Sequence, residues 1–321
     1  MNEPASRLPD TEALSSGLGS VLCGGRFEVR ILDRAPAILA STYPSEVVTC
    51  EVDGSGELKL YCKYMAGLRY QSFGHRGGVA YEVEVYRRVL GGLPMPVPRF
   101  YGAYEEPTTG DVWLILEYLD RSWRVTKGPQ PESILLAADW LGRFHAANES
   151  RVSSPDVSFL NTYDADYYLG WANRTLRFAS ELRPEIPWLA RLCAGFEQGV
   201  EMLFSSPPTI IHGEFYPHNI LLSDGHIYPI DWESAAIAAG EIDLAALTEA
   251  WNPAHIQQCE VAYQQARWGG PPPVGFRRRL AAARLYLCFR WMGDQPKWTL
   301  SAGNREYFES MRASGEELGL I

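Results

Sequence analysis

The segment Ile211–Glu233, IHGEFYPHNILLSDGHIYPIDWE, constrains the fold of this chain more than any other. Short apolar runs enclose charged and amide side chains there, and Asp224–Gly225 has the composition of a tight hairpin turn. The pattern predicts a strand, a loop and a hairpin. A fully buried Glu or Asp is rare, so Glu214 within IIHGEF and Asp231 within YPIDW suggest a site. Glu214 follows His212 by two residues, Asn219 follows Glu214 by five, and Asp231 follows Asn219 by twelve.

A chain of 321 residues is long for one core and suits two domains. Its net charge of −10 is uneven: residues 1–130 carry 14 basic and 16 acidic groups, residues 131–321 carry 15 and 23. The acidic second half repels phosphate backbones and anionic membranes, which argues against nucleic-acid and membrane partners and favours a cationic small molecule. The same acidity also serves solubility. Six scattered cysteines without a C-x-x-C pair argue against a zinc site or disulfide framework and suit a cytoplasmic setting. The polar N-terminus does not read as a signal peptide, and residues 1–18 are expected to be loosely ordered. No run approaches the ~18 apolar residues of a membrane span.

Residues 19–120 read as a sheet with one helix. ILASTYP, SEVVTCEV and LKLYCKYM have strand composition, with a turn at Asp53–Glu57. Val79, Val83, Tyr86 and Leu90 recur at helical spacing, and Gly91–Gly92 end that helix. Two further strands follow, the second being VWLILEYL. Residues 121–321 read as mainly helical around the 209–232 block. The expected architecture is α+β, with a five-stranded antiparallel sheet in the first part.

A carboxylate followed by Asn and a second carboxylate is the order that phosphoryl transfer requires. The first orients the attacking hydroxyl, and the other two hold Mg²⁺ against ATP phosphates. Lys63 fits the same chemistry. An ammonium within LYCKYM is costly unless phosphates and a carboxylate pair it, although an edge-strand lysine facing water has the same pattern. Glu82 lies beside the buried stripe of its helix, whereas Glu84 shares the face of Arg87 and Arg88, so Glu82 is the better partner for Lys63. Glu117, Tyr118 and Leu119, at the end of a strand, could offer backbone groups to an adenine. His212 and Asp243 read as structural groups holding the loop backbone.

Together these residues resemble the aminoglycoside phosphotransferase and choline kinase-like family over about residues 25 to 250. The family pattern H-G-D-x-x-x-x-N, I-D-W/F-E, G-x-x-x-x-D-L-A appears here as HGEFYPHN, PIDWE and GEIDLAA, and WLGRFHAAN resembles the helix ahead of the loop. The resemblance implies a bilobal protein-kinase-like fold. It places Glu214 at the catalytic carboxylate, Asn219 and Asp231 at the Mg²⁺ ligands, Lys63 and Glu82 at the phosphate-anchoring pair, and residues 117–119 at the adenine hinge. Only ten residues separate Asp231 from Glu241, which leaves no room for a protein-kinase activation segment and favours a small acceptor.

Two positions depart from the pattern. Glu214 stands where the family has Asp, and ASTYPSEV lacks glycine, so Ser41, Thr42 and Ser45 become the phosphate-binding candidates, with turn chemistry around Pro44 as the alternative. The resemblance places the acceptor in the second lobe, where Asp164, Asp166, Tyr167, Tyr168, Trp171, Glu233, Glu249, Trp251 and Trp291 combine carboxylates with aromatics suited to a sugar, an amino sugar or a quaternary amine. The expected function is transfer of the γ-phosphoryl group of ATP, or of GTP, to a hydroxyl of a small polar metabolite or antibiotic. The alternative is a nucleotide-binding protein that has lost catalysis at Glu214.

Overall fold

The computed structural model describes residues 8–37, 43–53, 56–65, 73–126 and 132–321. The chain divides into two compact units, one of Met1–Gln71, His75–Trp123 and Ser223–Ser234, the other of Ser72–Gly74, Arg124–Leu222 and Ala235–Ile321. The segment 223–234 therefore belongs with the N-terminal residues, although a division drawn along the sequence near residue 120 assigns it to the second part.

Residues 11–18, expected to be loosely ordered, instead open a helix, α1 (Thr11–Cys23). Asp10 caps it by accepting a 2.8 Å hydrogen bond from the Ala13 N–H, and left-handed Gly24 ends it. Leu14 and Leu18 are fully buried against Val29, Val48, Cys50, Leu60, Cys62, Tyr64, Trp113 and Ile115. Gly17 permits that approach, since a Cβ there would lie 2.5 Å from the Trp113 ring.

Five strands follow: β1 (Val29–Pro36), β2 (Ser45–Val52), β3 (Glu57–Tyr64), β4 (Phe100–Glu105) and β5 (Val112–Glu117). They form one antiparallel sheet in the order β1-β2-β3-β5-β4. The strand beside β2 is residues 29–36, paired from Val29↔Val52 to Pro36↔Glu46; of the expected strand ILASTYP, positions 38–42 lie outside the described residues. The helix expected over Val79–Leu90 is α2 (Gly78–Glu84), which runs on as a wider π-helical turn over Val85–Leu90. Val79, Val83, Tyr86, Val89 and Leu90 form its buried face.

A two-residue strand, β6 (Trp123–Arg124), precedes the helical part of the chain. The second unit contains α3 (Ser133–Asn148), α4 (Ala165–Phe178), α5 (Leu189–Phe204), α6 (Glu241–Leu247), α7 (Pro253–Trp268), α8 (Phe276–Asp294), α9 (Pro296–Thr299) and α10 (Arg305–Leu318). Helix α3 packs on α7 at Gly142, where a Cβ would lie 2.6 Å from the Tyr263 carbonyl oxygen. A small sheet of β7 (Asn161–Thr162), β8 (Thr209–Ile211) and β11 (Ala236–Ala238) has β11 in the middle, antiparallel to β8 and parallel to β7. Strands β9 (Ile220–Ser223) and β10 (His226–Pro229) flank Asp224 and Gly225, both left-handed at φ 46° and 77°, as a type I′ turn requires. Among the described residues no helix is long and apolar enough to cross a membrane.

Truncating Leu18 to Ala empties a fully buried site and should cost about 2–5 kcal/mol. The loss should appear as a lower denaturation midpoint; an unchanged midpoint would show that α1 contributes nothing to the fold.

Candidate active site

In the first unit the sheet and α2 bring Lys63 into a cluster of carboxylates. Its Nζ lies 2.8 Å from Glu82 Oε2, 2.6 Å from Asp231 Oδ1 and 3.4 Å from Glu233 Oε2. Lys63, Glu82 and Glu233 are at most 2 % exposed, and Asp231 retains 20 %. Burial opposes the Lys63 charge, but Asp231, Glu82 and Glu233 more than offset it, so the ammonium is held well above its ordinary range. Three carboxylates around one ammonium leave negative charge in excess. Burial accordingly pushes the Glu82 carboxyl up, and pushes that of Glu233 up to about 7.

The same residues fix the backbone around Asp231. Glu82 Oε1 accepts the Trp232 N–H at 3.0 Å, and the Gly77 N–H donates to the Glu233 carbonyl at 2.8 Å. Arg76 Nε lies 3.4 Å from Glu233 Oε1. Asp231 itself is left-handed at φ 68°, a conformation that side-chain-bearing residues adopt only under constraint. One oxygen from each of Glu82, Asp231 and Glu233 lies within 4.8 Å of the others, an all-oxygen donor set suited to a hard dication. Glu84, by contrast, pairs with Arg87 and Arg88 on the helix surface. Ser45 sits opposite Lys63 in the β2–β3 register and is buried, while Ser41 and Thr42 lie outside the described residues. At the end of β5 the Glu117 N–H donates to Arg99 and the Tyr118 N–H to Lys59.

In the second unit the loop after β8 is held by its backbone. Asp243 on α6 accepts from the His212 N–H at 2.6 Å and the Gly213 N–H at 2.9 Å. Behind Asp243, His145 Nε2 lies at 3.3 Å from its Oδ2 and His145 Nδ1 at 2.9 Å from the Tyr263 hydroxyl. Burial lowers the His145 pKa, so the imidazole is neutral, with Nε2–H facing Asp243 and Nδ1 accepting from Tyr263. Arg267 in turn reaches both the Tyr263 hydroxyl and Glu149. His212 Nδ1 accepts the Glu214 N–H at 3.2 Å. Asn219 Nδ2 donates to the Glu214 carbonyl at 3.1 Å, which leaves Oδ1 as the atom of that side chain able to ligate a metal.

Arg290 on α8, absent from the sequence reading, reaches the same loop. Its Nη1 lies 3.3 Å from the Gly213 carbonyl and 3.4 Å from Glu214 Oε1, and its Nη2 lies 2.5 Å from the Tyr216 hydroxyl. The available signal was a charge inside the apolar run LYLCFRWM, the same signal that singles out Lys63.

The acceptor candidates separate by burial. Tyr168 and Trp171 are 1 % and 0 % exposed and lie among the rings of Tyr163, Tyr167, Tyr286 and Phe73, the last of them exposed. Burial of that degree suits a packing role. Asp164 caps α4 by accepting the Tyr167 N–H, and Asp166 is an exposed residue of its first turn. Glu233 belongs to the Lys63 cluster. Trp251 packs against His255. Trp291 is partly exposed and stacks on Trp298, with Tyr216 and Tyr307 against it. Glu249 lies in the field of Arg290, and burial pushes its carboxyl up to about 7.

The chain resembles several solved structures, each at an identity that bears on fold alone. An aminoglycoside 2'-phosphotransferase in complex with GDP matches at TM-score 0.62 and 10 % identity, over 96 % of this chain and 98 % of that one. A spectinomycin phosphotransferase bound to ADP and spectinomycin matches at 0.59 and 12 %, over 98 % and 100 %. A putative fructosamine-3-kinase from Haemophilus somnus matches at 0.58 and 16 %, over 96 % and 97 %. No curated protein sequence matches significantly. The fold is thus the protein-kinase-like α+β fold that the motifs implied. The profile of one family matches residues 69–290, more than half of the chain, and the protein belongs to that family, the APH phosphotransferase enzymes.

Proposed function

We propose that this phosphotransferase moves the γ-phosphoryl group of ATP to a hydroxyl of a small polar acceptor. The observation that carries the reading is the buried Lys63 held between Glu82 and Asp231. A structural ion pair needs one carboxylate, whereas this ammonium has three, one of them partly exposed. A phosphate chain supplies negative charge that can take over the ammonium from Asp231 and release that carboxylate for a metal. Residues 19–120 would then serve the nucleotide, with the adenine against the Glu117 carbonyl and the Leu119 backbone and Ser45 near the phosphates. Residues 121–321 would carry the catalytic loop and the acceptor. Bound Mg²⁺ would neutralise charge on the transferring phosphates; the Asp231 carboxylate in the first unit and Asn219 Oδ1 in the second are each candidate protein ligands. Glu214 orients the acceptor hydroxyl and takes its proton late in the transfer.

Glu249, with Trp291, Trp298 and Tyr307 in the same unit, fits an acceptor that is at once polar and cationic. The solved relatives include enzymes of aminoglycosides and spectinomycin, which sets the starting panel. Six free thiols suit a reducing, cytoplasmic setting.

Coupled ADP release with Mg·ATP should depend on one member of a panel of aminoglycosides, other hydroxylated antibiotics, amino alcohols and sugars. Glu214→Ala should lower kcat by about 10²–10⁴-fold. An Asp231→Asn protein with full activity would sink the metal assignment. A second measurement concerns pH. A carboxyl titrating near 7 is neutral below that pH and anionic above it, so the affinity for a cationic acceptor should rise between pH 6 and pH 8. Glu249→Gln should remove that rise. If the acceptor KM has the same pH dependence in both proteins, Glu249 does not face the acceptor.

A further inference from the structure

The Arg290 guanidinium has no part in the chemistry above, yet it is only 4 % exposed and addresses three residues of one loop. Burying a charge is unfavourable unless it is paired and hydrogen-bonded. Here a carbonyl, a carboxylate and a hydroxyl, at positions 213, 214 and 216, supply those partners. A planar guanidinium can serve such divergent acceptors together, whereas a lysine ammonium is a point charge on a flexible stem. The rings of Tyr216 and Trp291 lie 5.6 Å from its centre and complete the enclosure.

Glu214 has a specific need for such a partner. Glutamate has one more methylene and one more rotatable bond than aspartate, so its carboxylate samples more positions from the same backbone. The backbone hydrogen bonds from Asp243 and His212 fix the loop but not the end of that side chain. Arg290 touches both the loop carbonyl and the carboxylate, and so refers one to the other.

We propose that Arg290 is a positioning residue for Glu214, holding the longer carboxylate in register with its loop. The proposal rests on the reading of Glu214 as the carboxylate that orients the acceptor hydroxyl. Other titratable groups in the field of Arg290 are Tyr216 of the loop, Tyr286 of α8, Tyr163 and Tyr167, Glu249, and Tyr307 of α10. Of these only Glu249 carries a carboxylate, so the rates are compared in a Glu249→Gln background as well.

The test compares Arg290→Met, Arg290→Lys and Glu214→Gln with wild type, after thermal melts confirm folding. ADP release from Mg·ATP is measured with and without the acceptor panel. Arg290→Met should lower kcat by about 10–100-fold with little change in the KM for ATP, because the lost interaction positions a reacting group. Arg290→Lys should restore only part of kcat. A folded Arg290→Met protein with wild-type kcat, or one whose loss lies in KM alone, overturns the proposal. Should Arg290→Met not fold, full kcat in Arg290→Lys overturns it instead. Activity retained in Glu214→Gln overturns the catalytic reading itself, whereas activity lost in Glu214→Gln but kept in Arg290→Met overturns the positioning role alone.

Discussion

A buried ammonium shared among Glu82, Asp231 and Glu233 organises the first unit. Removing the lysine from such a group leaves uncompensated buried carboxylates, which is far more costly than the pair is stabilising. The sheet must therefore deliver Lys63, α2 must deliver Glu82, and the chain after β10 must return to deliver Asp231 and Glu233. The return is specified twice, by the side-chain charges and by the backbone bonds from Trp232 to Glu82 and from Gly77 to the Glu233 carbonyl. The left-handed Asp231 is held against its own preference by that double constraint.

The second unit solves a different problem with the opposite means. Its loop carries Glu214 and Asn219, and the groups that fix it act on backbone atoms. Asp243 takes two successive N–H groups, and a buried chain of neutral His145, Tyr263 and Arg267 supports Asp243 from behind. Hydrogen bonds of this kind define position without adding a mobile charge beside the reacting groups. The Arg290 guanidinium differs in that it reaches a loop side chain, the Glu214 carboxylate, as well as the loop backbone.

The legible parts of the site were those whose signal is local. Lys63 stood out because its strand neighbours are apolar, and Glu82 because helical geometry separates it from Glu84. Asp224–Gly225 was legible because two successive positive φ values demand that composition. The first helix was hidden by Ser15, Ser16, Gly17 and Gly19, poor helix formers, of which Gly17 shows its use only once Trp113 is known to lie against it. Arg290 was hidden among the arginines of α8, of which Arg277 and Arg278 are exposed and Arg279 pairs with buried Glu241. The burial of Tyr168 and Trp171 was not legible, because aromatic residues at helical spacing look alike whether they line a cavity or fill a core.

The return of residues 223–234 to the first unit also has a temporal side. Lys63 and Asp231 lie 168 positions apart in the chain. At a ribosomal pace of ~5–20 residues per second, the lysine emerges roughly 10–30 s before the aspartate that completes its surroundings. The sheet can assemble early, but its most demanding buried charge cannot be satisfied until α3, α4 and α5 have been made. Nascent chains should therefore pass through a long interval in which the first unit is incomplete, and a stalled or truncated product ending before residue 231 would carry a lysine with no settled place in the fold.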